Sequence, residues 1–67
     1  MNFKIDSEKL EQVTRMFNEQ VDPAATEELI EKEISMGWDE LDPRENQEWI
    51  DTADAQAIVD WLATFYA

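Results

Sequence analysis

Apolar residues recur along this chain at three- and four-residue steps, interrupted by two Asp-Pro junctions and a single glycine. Leu10, Val13, Phe17 and Val21 keep that step and predict one face of a helix over 7–20, because residues so spaced stack on one side of an α-helix. Ahead of it, Phe3 and Ile5 alternate with polar neighbours as an extended lead-in, and Asp6 stands where an N-cap oxygen is wanted. Ile5 and Leu10 then have the spacing of a hydrophobic staple. Asp22-Pro23 ends this helix and is expected to open the next, Asp as the cap and Pro in a first turn that needs no N–H donor. The second helix is predicted over 23–36, with Leu29, Ile30 and Ile34 inward. Along it Glu28 and Lys32 form a favourably ordered pair four residues apart, whereas Glu27 and Glu31 repel at the same spacing. Gly37 falls where a left-handed C-terminal cap is expected.

Residues 38–41 read as a short connection. Asp42-Pro43-Arg44-Glu45 repeats the cap-and-proline device and adds Glu at the third helical position, a capping box. The third helix carries Trp49 and Ile50; around Asp51-Thr52 the chain either breaks and recaps or continues straight through, and the break is the favoured reading. From Asp54 onward Ile58, Val59, Trp61, Leu62, Phe65 and Tyr66 cover an arc of roughly 160° on a last helix, with Gln56 and Asp60 pointing away. The predicted fold is all-α: one domain over 1–67, a compact bundle of three to four short helices.

Composition narrows the chemistry. The 67 residues include three Trp, three Phe and one Tyr, and 43% are hydrophobic, too apolar for a disordered acidic tail. Cysteine and histidine are both absent, which removes disulfides, the usual zinc sites and the commonest neutral-pH acid/base. Ser7 and Ser35 are the only serines and have no histidine to activate them. With 17 acidic residues, some carboxylates must fall close together, so closeness alone does not mark an acid/base pair. A helix–loop–helix calcium loop needs Gly at its sixth position; counted from Asp39 that position is Arg44, and from Asp42 it is Gln47. A phosphate-cradling loop needs several glycines. The expectation is a protein that is not an enzyme and holds no metal or cofactor.

Against the 17 acids stand only five basic residues, for a formal charge of −12. Lys4, Lys9, Arg15, Lys32 and Arg44 are scattered among acids, so no basic patch faces nucleic acid. The same charge repels anionic membranes and attracts basic protein surfaces. With no long apolar run, the expected compartment is the cytoplasm, that of the host if the gene is a phage's. The acids thicken at Glu27, Glu28, Glu31 and Glu33, and again at Asp39, Glu40, Asp42, Glu45, Glu48 and Asp51. Carboxylates three or four residues apart lie about 5–6 Å from each other on a helix, a row resembling the phosphates of a nucleic-acid strand. The expected partner is therefore a basic protein surface, that of a nucleic-acid-binding protein, and not nucleic acid itself. The predicted contact set is Glu27, Glu28, Glu31, Trp38, Asp39, Glu40, Asp42, Glu45, Glu48 and Asp51. Trp38, in the expected connection among acids, would supply the aromatic anchor. Solubility alone asks for a net charge of about 2–8 on a small domain, and −12 exceeds it. Surplus apolar surface leaves homodimerisation open as another use.

By size, charge and lack of catalytic residues the chain resembles the small acidic inhibitors made by phages, including DNA-mimic and anti-CRISPR proteins. That resemblance implies that the acids of the second and third helices occupy a basic nucleic-acid channel. A local stretch, Leu29-Ile30 through Ser35-Met36-Gly37-Trp38 and then Ala57-Ile58-Val59-Asp60-Trp61-Leu62, is similar to a ubiquitin-associated (UBA) domain over 26–66. It departs from that family in having no glycine in the second turn. The similarity implies ubiquitin contact by Met36, Gly37 and Trp38 with the end of the last helix.

Overall fold

A computed structural model of the chain describes residues 4–38 and 43–66, with the backbone alone described at 37, 38 and 43–46. Four helices follow one another: α1 (Ser7–Gln20), α2 (Glu27–Trp38), α3 (Pro43–Thr52) and α4 (Ala55–Ala63), the last running into a 3-10 turn over Thr64–Tyr66. No strand occurs among the described residues, and the fold is all-α.

α1 occupies the predicted span, with Leu10, Val13 and Phe17 buried and Val21 half-buried just beyond its end. Its start differs in one respect. Asp6 stands at the N-cap, but its side chain accepts no capping bond, and only its carbonyl is used, by the Leu10 N–H at 2.9 Å. The carboxylate is exposed, where water competes for it.

The start of α2 is a correction. Asp22, Pro23, Ala24 and Ala25 form a tight turn instead of helix: the Ala25 N–H donates to the Asp22 carbonyl at 3.2 Å, and the Ala24 N–H to Asp22 Oδ1 at 3.0 Å. Asp followed by Pro suits the first two positions of a β-turn as well as a helix start. From α1, the Asn18 amide locks the turn by donating to the carbonyls of Asp22 and Ala25 at 3.0 and 2.8 Å. Capping passes to Thr26, whose Oγ1 accepts from the Leu29 N–H at 3.2 Å. Ile30 and Ile34 are buried as predicted, and Leu29 packs at the core's edge. Glu28 and Lys32 do not close into an ion pair; both are exposed, where ordering two long side chains offsets most of the gain.

Gly37 is a second correction. It lies inside α2, and no glycine with positive φ occurs among the described residues. Glycine permits a left-handed cap but does not impose one, so the helix continues to Trp38. The expected connection at 38–41 therefore loses Trp38 to the helix; its remaining residues lie outside those described. Pro43 opens α3 as predicted, whereas the capping box of Asp42 and the Glu45 side chain falls outside the described residues.

The break between α3 and α4 is present. Ala53 bends, and Asp54 recaps the chain by accepting the Ala57 N–H at 2.8 Å. Ile58, Val59 and Leu62 are buried. Phe65 and Tyr66, predicted to lie on the helix's apolar arc, instead occupy the 3-10 turn and are exposed. There the Thr64 hydroxyl donates to the Trp61 carbonyl at 2.6 Å. A 3-10 turn advances about 120° per residue instead of 100°, which swings residues beyond Ala63 off the helix's inner face.

The core draws Val13 and Phe17 from α1, Ile30 and Ile34 from α2, Ile50 from α3, and Ile58 and Leu62 from α4. α1 packs most extensively on α4 and also lies against α2. The radius of gyration is 11.0 Å, the value of about 11 Å that a well-packed chain of this length takes. α3 is tied to α1 and the lead-in by polar contacts. Lys9 of α1 donates its ammonium to the carbonyls of Ile50, Asp51 and Ala53 at 2.9, 3.2 and 2.8 Å. The Gln47 amide brackets Lys4, accepting its N–H at 2.8 Å and donating to its carbonyl at 2.7 Å. No described helix is long and apolar enough to cross a membrane.

Candidate acidic interface

The described acids of the predicted site are carried on two helices. Glu27, Glu28 and Glu31 are exposed on the first two turns of α2, which Thr26 starts and Ile30 and Ile34 orient by facing the core. Glu48 and Asp51 are exposed on α3, whose inner side is fixed by Ile50. Asp51 Oδ1 accepts from Gln47 at 2.9 Å, so that carboxylate is held in place by the residue that also pins the lead-in. Trp38 and Glu45 have their backbones in α2 and α3, and their side chains lie outside the described residues; Asp39, Glu40 and Asp42 lie outside them altogether.

Within each helix the acids share a face. No hydrogen bond or ion pair links the α2 set to the α3 set among the described residues. Exposed acids also stand on α1, at Glu8, Glu11 and Glu19, and on α4 at Asp60. Sequence density pointed to α2 and α3, and the helical exteriors extend the negative surface over all four helices.

The cations do little to offset it. Lys9 is turned inward onto backbone carbonyls. Arg15 pairs with Glu11 at 3.3 Å, the one ion pair among the described residues. Glu27, Glu28, Glu31, Glu48 and Asp51 are exposed and close no ion pair, even with Lys32 exposed beside Glu28 and Glu31, which leaves those carboxylates free to meet an external cation.

Sequence reasoning missed a second feature. Tyr66 donates its hydroxyl to Glu33 Oε1 at 2.6 Å, and its ring meets Phe17 edge-on with centroids 5.4 Å apart. That hydrogen bond to Glu33, then desolvation, then the negative charges of Glu33 and Asp22 push the phenol up from 10.0 to about 12. Beside it runs a chain of edge-to-face aromatics, Trp49 to Trp61 at 5.5 Å and Trp61 to Phe65 at 5.2 Å. Both tryptophans are half-buried against the core, as their apolar positions imply. The signal for the turn lay in Thr64, whose hydroxyl competes for a helix carbonyl. Among the described residues no group of three or more acidic side chains is arranged to hold a metal ion. Comparison with family models, with curated proteins and with solved structures finds no match to this chain.

Proposed function

We propose that this chain is a non-catalytic binding protein whose acidic surface docks on a basic, nucleic-acid-binding protein and blocks it as a nucleic-acid mimic. One observation carries the reading. The carboxylates of Glu27, Glu28 and Glu31 on α2 and of Glu48 and Asp51 on α3 are exposed without ion-pair partners, while Lys9 is engaged within the fold and Arg15 pairs at the surface with Glu11. A folded bundle fixes these charges in place, so a cationic groove can engage them without first ordering a flexible chain. Their charge also steers encounter with a basic surface.

The test is capture from a host lysate at low and at high salt, followed by competition with double-stranded DNA. The captured protein should bind nucleic acid, be released by salt, and be displaced by the DNA. Joint reversal of Glu45→Lys and Glu48→Lys should lower affinity at least about tenfold, the low end for close charge pairs, with helical content unchanged. Capture indifferent to salt and to these reversals would sink the proposal.

A second reading has one observation in its favour. Met36 is 65% exposed, which suits an apolar, UBA-like contact with ubiquitin. The helical conformation of Gly37 departs from the loop that reading expects. A ubiquitin titration that leaves the Met36 methyl and Trp38 indole resonances unmoved would remove it.

A further inference from the structure

The 3-10 turn over Thr64–Tyr66 reaches two sides of the bundle at once. Tyr66 turns one way: its ring meets Phe17 of α1 edge-on at 5.4 Å, and its hydroxyl donates to Glu33 Oε1 of α2 at 2.6 Å. Phe65 turns the other way. Its ring lies 5.2 Å from that of Trp61 on α4, which in turn meets Trp49 of α3 at 5.5 Å. The split follows from the pitch of the turn, because successive residues of a 3-10 helix stand about 120° apart and neighbours cannot share a side. Beneath them the Thr64 hydroxyl closes the turn on the Trp61 carbonyl. Phe65 and Tyr66 are 52% and 44% exposed, so directed contacts hold them more than burial does.

We infer that this turn is a strap coupling α2 to α3: freeing Tyr66 from Glu33 disturbs Trp49, at the far end of the same chain of contacts. No hydrogen bond or ion pair joins α2 to α3 directly among the described residues. The strap supplies a route between them. A bond to an ionised acceptor is among the stronger hydrogen bonds, which makes Glu33 the fastening. Once Tyr66 lets go, the turn is free to rotate, and rotation carries Phe65 off Trp61. Trp61 then loses the ring that sets its tilt against Trp49, and edge-to-face contacts depend on tilt. Through this route the two acid-bearing helices hold their places together. The inference goes beyond the docking function, and its test uses the free chain, so it stands or falls apart from that reading.

Tyr66→Phe removes the hydroxyl and keeps the ring, unfastening the strap with the least damage. In NMR spectra of the full chain, this variant should shift the indole N–H signals of Trp49 and Trp61, although the hydroxyl lies against α2. A double-mutant cycle in urea then pairs Tyr66→Phe with Trp49→Phe. Independent sites multiply their effects on the unfolding constant to within about twofold. A coupled pair should depart from that product by at least about threefold, the double variant losing less than the singles imply. A hydroxyl that only added stability would lower the urea midpoint without producing either result. Unmoved indole signals, or effects that simply multiply, would overturn the inference. If Trp49→Phe does not fold, the indole shifts decide alone.

Discussion

Lys9 shows how one residue can serve as a joint between elements. Its ammonium has three donors, and the C-terminal end of α3 with the bend that follows offers three carbonyls, those of Ile50, Asp51 and Ala53. A helix ends with carbonyls that lack intrahelical partners and carry partial negative charge. α3 has no basic residue in its own last turn, and α1 supplies one from across the fold. Lys9→Met keeps most of the stem and removes the charge, and should cost about 1–3 kcal/mol. That is a large share of the roughly 3–10 kcal/mol expected for a domain of this size, so the urea midpoint should fall clearly; an unchanged midpoint would show the contact to be incidental. Tyr66 gives a second residue-level test. Its phenol is raised from 10.0 to about 12 by the bond to Glu33, by desolvation and by nearby carboxylates. Folding therefore favours the neutral phenol, so this contribution to stability is fully present below pH 10 and is lost as pH rises through about 12. Tyr66 is the only tyrosine, so phenolate absorbance reports on it alone. The absorbance midpoint should lie well above that of the urea-unfolded chain, and Tyr66→Phe should flatten the fall in stability across that window. Coincident midpoints in the two states would show that the hydroxyl is not held.

Helices α1, α3 and α4 were legible because each has apolar residues at helical spacing. Pro43 opens α3, and Asp54 caps α4 through the Ala57 N–H. The ends of α2 were not legible, because the signals there admit two outcomes. Asp22-Pro23 serves a β-turn as readily as a helix start, and the choice was made by Asn18, which reaches the turn from another element. Gly37 was equally ambiguous, since glycine accepts both helical and left-handed φ. The acids of the candidate site could be named from sequence, but their separate placement on α2 and α3 depends on packing that no local pattern encodes. Phe65 and Tyr66 were misplaced because helical periodicity was carried past Thr64 into a turn of different pitch. Gly37→Ala separates the two outcomes at that position. In the observed helix the substitution should stabilise the fold by about 0.5–1 kcal/mol, read as a higher urea midpoint. Were Gly37 a left-handed cap, alanine would destabilise instead.

At the scale of the whole molecule, the charge that suits a basic partner also works against folding. The longest dimension is 30 Å, and the Debye length is about 30 Å at 10 mM salt and about 8 Å at 150 mM. At low salt, then, each exposed carboxylate is felt across the entire bundle, whereas at physiological salt it is felt only by near neighbours. With a formal charge of −12, compaction at low salt brings like charges together, and the folded state carries the greater repulsion. Raising sodium chloride over that range should therefore stabilise the fold. A gain of about 1 kcal/mol would raise Tm by about 4–8 °C in a domain this small, measured by circular dichroism. Under the proposed docking function, salt should act with the opposite sign on partner capture, because attraction between the two surfaces is screened. The opposed responses are the signature of one charge array serving both roles. Glu48→Lys should reduce both slopes together, because it removes one member of the array from an exposed position. A Tm that does not move with salt would mean that folding brings these carboxylates no closer than the unfolded chain does, and the array would then lack the density that docking on a cationic groove requires.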